Sequence, residues 1–308
     1  MTDTALLLPG QGSQFVGMGA DLVDAYPEAA ELYAEAEDVL GVPLVRLSRE
    51  GPAEELTRTE NAQPAILTHS YAVWRLLPAP VRASVVVAAG HSLGEFTAYL
   101  CAGALAFPDA LRIVRKRGEL MARARNGTMA AVLGLDDEAV RAACAAVEDG
   151  VVVAANFNAP GQVVISGDEA GVEAASARAR ETGARRVLPL DVSGAFHSPL
   201  MEVARDGLAE ALAAATFRDP GFPVVANAAA RPVRSGEEAR ELLLEQLTSP
   251  VRWVESVRAM GEAGARRWLE IGPGTVLAGL LRRIDRSLET ATVGDAETVR
   301  AWREAEHG

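Results

Sequence analysis

Aromatic side chains are scarce in this 308-residue sequence: Phe, Trp and Tyr together make up 5% of it. A core with so few rings must rely on Ala, Leu and Val, and 49% apolar residues is ample for burying one. Cysteine is scarcer still, with Cys101 and Cys144 alone, which excludes a disulfide framework. Four histidines (His69, His91, His197 and His307) and no C-x-x-C leave no metal-ligand cluster. No run approaches the roughly 18 apolar residues of a membrane span. The start, "MTDTALLLPGQG", lacks the basic region and the long apolar stretch of a signal peptide. A cytoplasmic protein is expected. Positive charge is also short: the formal net charge of −12 argues against a nucleic-acid or anionic-membrane partner. The arginines nevertheless cluster, at Arg112, Arg115, Lys116 and Arg117, at Arg185 and Arg186, at Arg266 and Arg267, and at Arg282, Arg283 and Arg286. Each cluster taken alone reads as a solvated helix face.

Strand-like and helical patterns alternate along the chain. "ALLLPG" predicts a short buried strand entering the Gly-rich turn "GQGSQFVGMG". Helices are predicted over 27–40 and from Pro64 through "AILTHSYAVWRLL". "RASVVVAAG" has the length and β-branching of a strand. "SLGEFTAYLCAGAL" is helical, and "PDALRIVRKRGELMARARNG" is a strongly amphipathic helix ended by Asn126-Gly127. Residues 128–192 then read strand, helix, strand, strand, helix, strand, a ferredoxin-like βαββαβ order. Beyond them come a strand at "FPVVANA", helices near 236–247 and around Trp253, the strand "RRWLEIG" and a last helix, "TVLAGLLRRID". This pattern predicts an α/β fold with a mostly parallel sheet, in which 1–127 and 193–308 form the large unit and 128–192 an inserted ferredoxin-like subdomain.

Gly90-His91-Ser92-Leu93-Gly94 matches G-x-S-x-G between a predicted strand and a predicted helix. In that setting the glycines allow a sharp turn that lifts the Ser92 hydroxyl to the end of the sheet, at the positive end of a helix. The N–H of Leu93 then points where an oxyanion would form. Outside that setting, Ser92 is an ordinary serine of a Gly-containing loop. A serine nucleophile needs a base. His69 lies within a helix, His307 at the tail, and the side chain of His91 should point away from its neighbour. That leaves His197, in the loop "SGAFHSPLM". Arg117 shares a helix face with Ile113, Leu120 and Ala124, away from the polar face carrying Arg112, Arg115, Lys116, Glu119 and Arg123. A guanidinium on an apolar stripe needs a partner. It is either a core carboxylate or the carboxylate of a substrate held in bidentate fashion. "EIGPGTVLAG" imitates a dinucleotide-binding turn, but Leu277 stands where the third glycine belongs, so it reads as a structural turn. "PGQGSQ" lacks the Lys-Ser/Thr of a phosphate-binding loop.

These segments resemble the malonyl-CoA:acyl-carrier-protein transacylases and the acyltransferase domains of polyketide synthases. The resemblance runs through "PGQGSQ", "NAQPAI", "GHSLGE", "RG-x-x-M" at 117–121, "NFNAPGQVVISG", "GAFHS", "QLTSPVRW" and "EIGPG", in order along nearly the whole chain. It implies an α/β-hydrolase-like core with an inserted ferredoxin-like subdomain. It also implies that Ser92 is acylated by malonyl-CoA and that His197 is base and then acid. Gln246 would orient His197 through its backbone carbonyl, and the amides of Gln11 and Leu93 would form the oxyanion hole. Arg117 would pair with the malonyl carboxylate, Gln63 would line the pocket, and Asn156 and Asn158 would border the cleft. The implied reaction is ping-pong transfer to the phosphopantetheine thiol of an acyl carrier protein, with no metal or redox cofactor. The carrier is typically acidic, which makes the arginine clusters candidate docking patches. Leu93, and Phe196 before the histidine, agree with malonyl-type members. A serine hydrolase clearing acyl groups from carriers would share Ser92 and His197 but has no use for Arg117. A non-catalytic carrier-docking module would need none of the three.

Overall fold

The computed structural model describes residues 2–124, 127–192 and 194–305. Its larger sheet contains β1 (Thr4–Leu8), β2 (Val85–Gly90), β7 (Val224–Val225), β8 (Pro232–Val233), β9 (Arg267–Ile271) and β10 (Thr290–Val293), in the order β10-β9-β1-β2-β7-β8. Every neighbouring pair runs parallel except β7–β8. A parallel sheet buried on both faces needs strands apolar at every position, and "ALLL" supplies this. Leu6 and Leu8 enter the core formed with the helices Thr59–Leu76, Leu93–Cys101 and Phe107–Arg123. Ala5 and Leu7 enter the opposite core with Val87, Ala89, Trp253 and Leu277. From β1 the chain builds outward to β2 on one side and later to β9 on the other. This reversal opens a crevice beyond the carboxyl ends of β1 and β2, where ligands of open α/β sheets bind.

The smaller sheet contains β3 (Thr128–Leu133), β4 (Val152–Ala159), β5 (Gln162–Gly167) and β6 (Arg186–Pro189), ordered β4-β5-β3-β6 and antiparallel throughout. The helices Asp137–Ala145 and Glu169–Glu181 cover it through Val140, Cys144, Val172 and Ala175. This is the ferredoxin-like βαββαβ arrangement. It is stitched to the large sheet's side by paired backbone bonds, Phe157 N–H to Val251 O at 2.9 Å and Val251 N–H to Ala155 O at 2.8 Å.

Three local expectations need correcting. The helix expected to enter at Pro64 begins at Thr59 and runs through the proline. Proline leaves the carbonyl of Glu60 without its helical donor, and the Arg115 guanidinium donates to that oxygen at 3.1 Å instead. The strand read over "FPVVANA" is reduced to Val224–Val225. Beyond the helix Val276–Ile284 come β10 and a further helix, Ala296–Glu304, where only a terminal helix was expected. Asn126, proposed as a helix stop, and His307 lie outside the described residues. No helix among the described residues is long and apolar enough to cross a membrane.

Candidate active site

β2 ends at Gly90, and the helix Leu93–Cys101 begins after a two-residue turn. Ser92 sits in that turn at φ 51°, ψ −105°, a conformation that costs a non-glycine residue energy. Its flanking glycines are there for space. A Cβ on Gly90 would stand 1.8 Å from the carbonyl carbon of Gly94, and one on Gly94 would stand 2.1 Å from the carbonyl oxygen of Leu8. Asn227, just beyond β7, clamps the turn from the side. Its amide donates to Gly90 O at 2.8 Å and accepts from Ser92 N–H at 2.7 Å.

The Ser92 hydroxyl donates to Nε2 of His197 at 2.8 Å. On the other side of the ring, Nδ1 faces the backbone carbonyls of Gln246 (2.9 Å) and Ser249 (3.2 Å). Carbonyl oxygens only accept, so Nδ1 carries the hydrogen and Nε2 offers its lone pair to the serine. His197 is itself held at φ 57°. Burial and then the nearby Arg117 charge push its pKa down to about 3, so the imidazole is neutral at rest.

Arg117 is 1% exposed and makes no ion pair among the described residues. Its guanidinium donates to Gln63 Oε1 at 3.0 Å, to Gln246 Oε1 at 2.9 Å and to Ser92 Oγ at 3.0 Å. Burial lowers its pKa to about 10, and Glu95 works against that shift. Of the two readings of Arg117, the directly bonded core carboxylate is therefore absent among the described residues. A charge solvated by two neutral amides beside a serine remains.

A cleft of about 400 Å³ opens over these groups, lined among others by Gln11, Leu93, Asn156, Asn158 and Phe196. Leu93, the first helical residue, has no backbone acceptor one turn earlier, so its N–H is free of the helix ladder. Gln11 follows the end of β1, and its side chain is turned away, donating to Thr59 Oγ1 at 3.2 Å. Gln63 also reaches Met121 Sδ at 3.4 Å. Asn158 contacts the elbow through His91 rather than Ser92: its carbonyl oxygen meets His91 Nε2 at 2.8 Å, while the His91 ring lies 5.6 Å from that of Trp253. His69 is a core residue bonded to Gly294 O at 2.9 Å. Glu270 accepts from the N–H groups of Leu277 and Ala278, so a carboxylate of the chain itself fills the helix end after "EIGPG", as a structural turn requires.

Asn227, Ser249 and Glu95 belong to the site but were not picked out in the sequence. Glu95 had a legible signal, a charge in the apolar helix "LGEFTAYLC", which is the rule that singled out Arg117. Asn227 and Ser249 act through atoms that carry no pattern.

The surroundings of the cleft differ in charge. On one side a depression of about 720 Å³ is bordered by Glu54, Glu60 and Asp191, with Arg58. Elsewhere a depression of about 430 Å³ is bordered by Arg185, Arg282, Arg283 and Arg286. Members of the other arginine clusters are engaged locally. Arg112 pairs with Asp109 and Arg115 with Glu119, while Arg267 lies over the ring of Trp302, 5.0 Å from its centroid.

Residues 6–305 match the family described as "Acyl transferase domain". The malonyl CoA-acyl carrier protein transacylase of Bacillus subtilis (strain 168) is 47% identical over 307 residues, covering 97% of this chain and 96% of that protein. The protein of the same name from Escherichia coli (strain K12) is 44% identical, covering 98% and 99%. Among solved structures, a malonyl-transacylase in complex with its type II PKS acyl-carrier protein superposes with a TM-score of 0.93 at 43% identity, covering 99% of this chain and 100% of that one. An acyl carrier protein S-malonyltransferase from Vibrio cholerae gives 0.92 at 43% identity, covering 97% and 99%.

Proposed function

This chain belongs to the acyl transferase domain family, and we propose that it moves the malonyl group of malonyl-CoA onto the phosphopantetheine thiol of an acyl carrier protein. The observation that carries this reading is a buried guanidinium, Arg117, bonded to the hydroxyl of an elbow serine that also faces a neutral histidine. A serine hydrolase has no need of the first feature.

Ser92 is the nucleophile. As its oxygen attacks the thioester carbon, its proton passes to Nε2 of His197. The carbonyl electrons collect on oxygen, facing the N–H groups of Gln11 and Leu93. Collapse breaks the carbon–sulfur bond, and His197 returns the proton to the departing CoA thiolate. The carrier thiol repeats these steps in reverse order, giving its proton to His197 and releasing Ser92. Two backbone carbonyls stand where a protease-type triad has its aspartate. They orient the ring and stabilise the imidazolium without adding a formal charge. Arg117 pairs with the malonyl carboxylate, which displaces the Ser92 hydroxyl from its Nη2. Because the Arg117 charge is one of the causes depressing His197, its neutralisation by malonyl makes the base stronger just as the acyl group arrives. Residues 128–192 form the subdomain that closes one side of the cleft through Asn156 and Asn158, against the unit formed by 1–127 and 193–308.

Incubation with malonyl-CoA and a phosphopantetheinylated carrier tests the reaction directly. Malonyl-carrier is the expected product; a predominance of free malonate would instead identify a hydrolase.

Phe196, 7% exposed, fills the cleft wall beside His197 where an α-methyl would project. Phe196→Val is expected to raise methylmalonyl-CoA use relative to malonyl-CoA by about ten-fold, since one methyl group is worth ~1–3 kcal/mol in such a pocket. Competition between the two thioesters measures the ratio, and an unchanged ratio moves the selectivity elsewhere.

The depression bordered by Arg185, Arg282, Arg283 and Arg286 is the carrier dock. Gly274 lies against Ser13, beside the Gln11–Gln14 rim of the cleft. From there the helix Val276–Ile284 rises roughly 12 Å toward these arginines. The acidic depression by Glu54 and Glu60 would repel an acidic carrier. Arg282→Glu with Arg286→Glu is expected to raise the KM for carrier about ten-fold or more, and less so as salt increases. Initial rates against carrier concentration at low and high salt check this, and an unchanged KM would remove the dock.

A further inference from the structure

We propose that Glu95 is a positioning residue for Arg117, acting through the side-chain amide of Gln246, and that its charge sets how strongly the site prefers a carboxylated acyl group. This rests on the assignment of Arg117 to the malonyl carboxylate.

The geometry is a chain of donors and acceptors with one consistent direction. Gln246 Nε2 donates to Glu95 Oε2 at 2.7 Å and to Ser92 O at 3.0 Å. Gln246 Oε1 accepts from Arg117 Nη2 at 2.9 Å. A carboxylate only accepts and a guanidinium only donates, so the amide has one orientation that serves both. Glu95 is held in turn by Asn227 N–H at 3.0 Å on the same oxygen. Glu95 and Gln246 are both 0% exposed. The second oxygen of Glu95, Oε1, is buried with no hydrogen-bond partner among the described residues, as is Nε of Arg117. Fastening the elbow uses only the oxygen that Asn227 and Gln246 hold, and burying the other without a protein partner costs ~1–3 kcal/mol.

The same network touches each part of the reaction. Gln246 bonds the Ser92 backbone with its amide N–H, Arg117 with its amide oxygen and His197 with its backbone carbonyl. When Glu95 is ionised, the free site holds one positive and one negative charge across a single amide. A malonyl carboxylate then meets an Arg117 that is already partly compensated. When Glu95 is neutral, Arg117 presents its full charge to the acyl group. The acetyl group carries no charge and is indifferent to the change. Burial raises the Glu95 carboxyl to about 7, against the opposing pull of Asn227, Gln246 and Arg117.

The other groups around Glu95 hold their charge through neutrality. Arg117 stays cationic with its pKa near 10, and Tyr99, one turn along the same helix, is shifted upward by burial. His197 is neutral, pushed down to about 3, and burial also lowers His91. The sign follows: as pH rises through about 7, Glu95 gains its negative charge and the advantage of malonyl over acetyl shrinks.

The test is single-turnover acylation of Ser92 by malonyl-CoA and by acetyl-CoA between about pH 6 and pH 8, in wild type and in Glu95→Gln. Effects on the CoA phosphates are common to both donors and cancel in the ratio of rates, while the strengthening of His197 by malonyl is shared by wild type and Glu95→Gln and cancels between the two proteins. In wild type the malonyl-to-acetyl ratio is expected to fall on the order of ten-fold as pH rises. In Glu95→Gln it should stay near its low-pH value throughout. A flat ratio in wild type overturns the proposal without recourse to any variant, and so does an equal slope in Glu95→Gln. Failure of wild type to malonylate Ser92 at any pH would instead overturn the transfer reaction itself.

Discussion

Ser92→Ala is expected to lower malonyl transfer by at least about 10⁴-fold, the scale on which removing a covalent nucleophile acts. The loss is chemical and not a failure to fold. Ser92 already occupies a strained left-handed turn, which alanine fits no worse than serine. The turn is fastened by backbone groups, Ser92 N–H to Asn227 and Ser92 O from Gln246, and both survive the substitution. What disappears is the oxygen that bonds His197 Nε2 and Arg117 Nη2. Rates at saturating carrier and donor, with a thermal melt to verify the fold, measure the effect. Retention of most activity would mean that Ser92 is not acylated, and full retention of carrier binding without any chemistry in wild type would mark a docking module.

Arg117→Ala is expected to separate donors. Truncating one partner of a buried, charge-assisted pair costs ~2–5 kcal/mol. For malonyl-CoA this corresponds to a drop in kcat/KM of roughly 30-fold to several thousand-fold. For acetyl-CoA, which has no carboxylate, the loss should stay within about ten-fold, reflecting the acceptors left on Gln63 and Gln246. There is also a pH signature. Arg117 is one of the causes of the depressed His197 pKa, so the variant's histidine should titrate at higher pH than the wild type's about 3, toward its ordinary value. Proton NMR of the His197 ring follows this. Equal losses on both donors would remove the carboxylate assignment.

The parts of this fold and site that could be read in the sequence share a physical cause. β1 is apolar from Ala5 to Leu8 and β2 from Val85 to Ala89 because the sheet is covered on both faces, so "ALLL" and "VVVAA" stand out. The ferredoxin-like unit is legible because its strands and helices alternate at ordinary lengths. Gly90, Ser92 and Gly94 form a local pattern because the elbow they build is local. Arg117 was found because it violates its helix's polarity, and Glu95 violates its own in the same manner. The start of the helix at Thr59 was hidden, since Pro64 reads as an entry and its vacated acceptor is served from another helix by Arg115. β7 is shorter than the apolar run predicts because Phe222 lies outside the strand and Pro223, with no N–H to donate, adds only its carbonyl, which accepts from Ala88 N–H at 2.9 Å. Asn227 and the carbonyl of Ser249 were invisible for a different reason. Asn227 acts across 135 positions, and a backbone carbonyl has no side chain to signal its use.

Intact-mass measurement of the protein after malonyl-CoA, and again after addition of holo carrier, tests the central claim most directly. The prediction is a mass gain of one malonyl group, mapped to the peptide containing Ser92 and discharged when the carrier is added, with malonyl-carrier appearing in equal amount. Absence of any adduct, or its discharge to free malonate in the carrier's presence, would contradict transfer through Ser92.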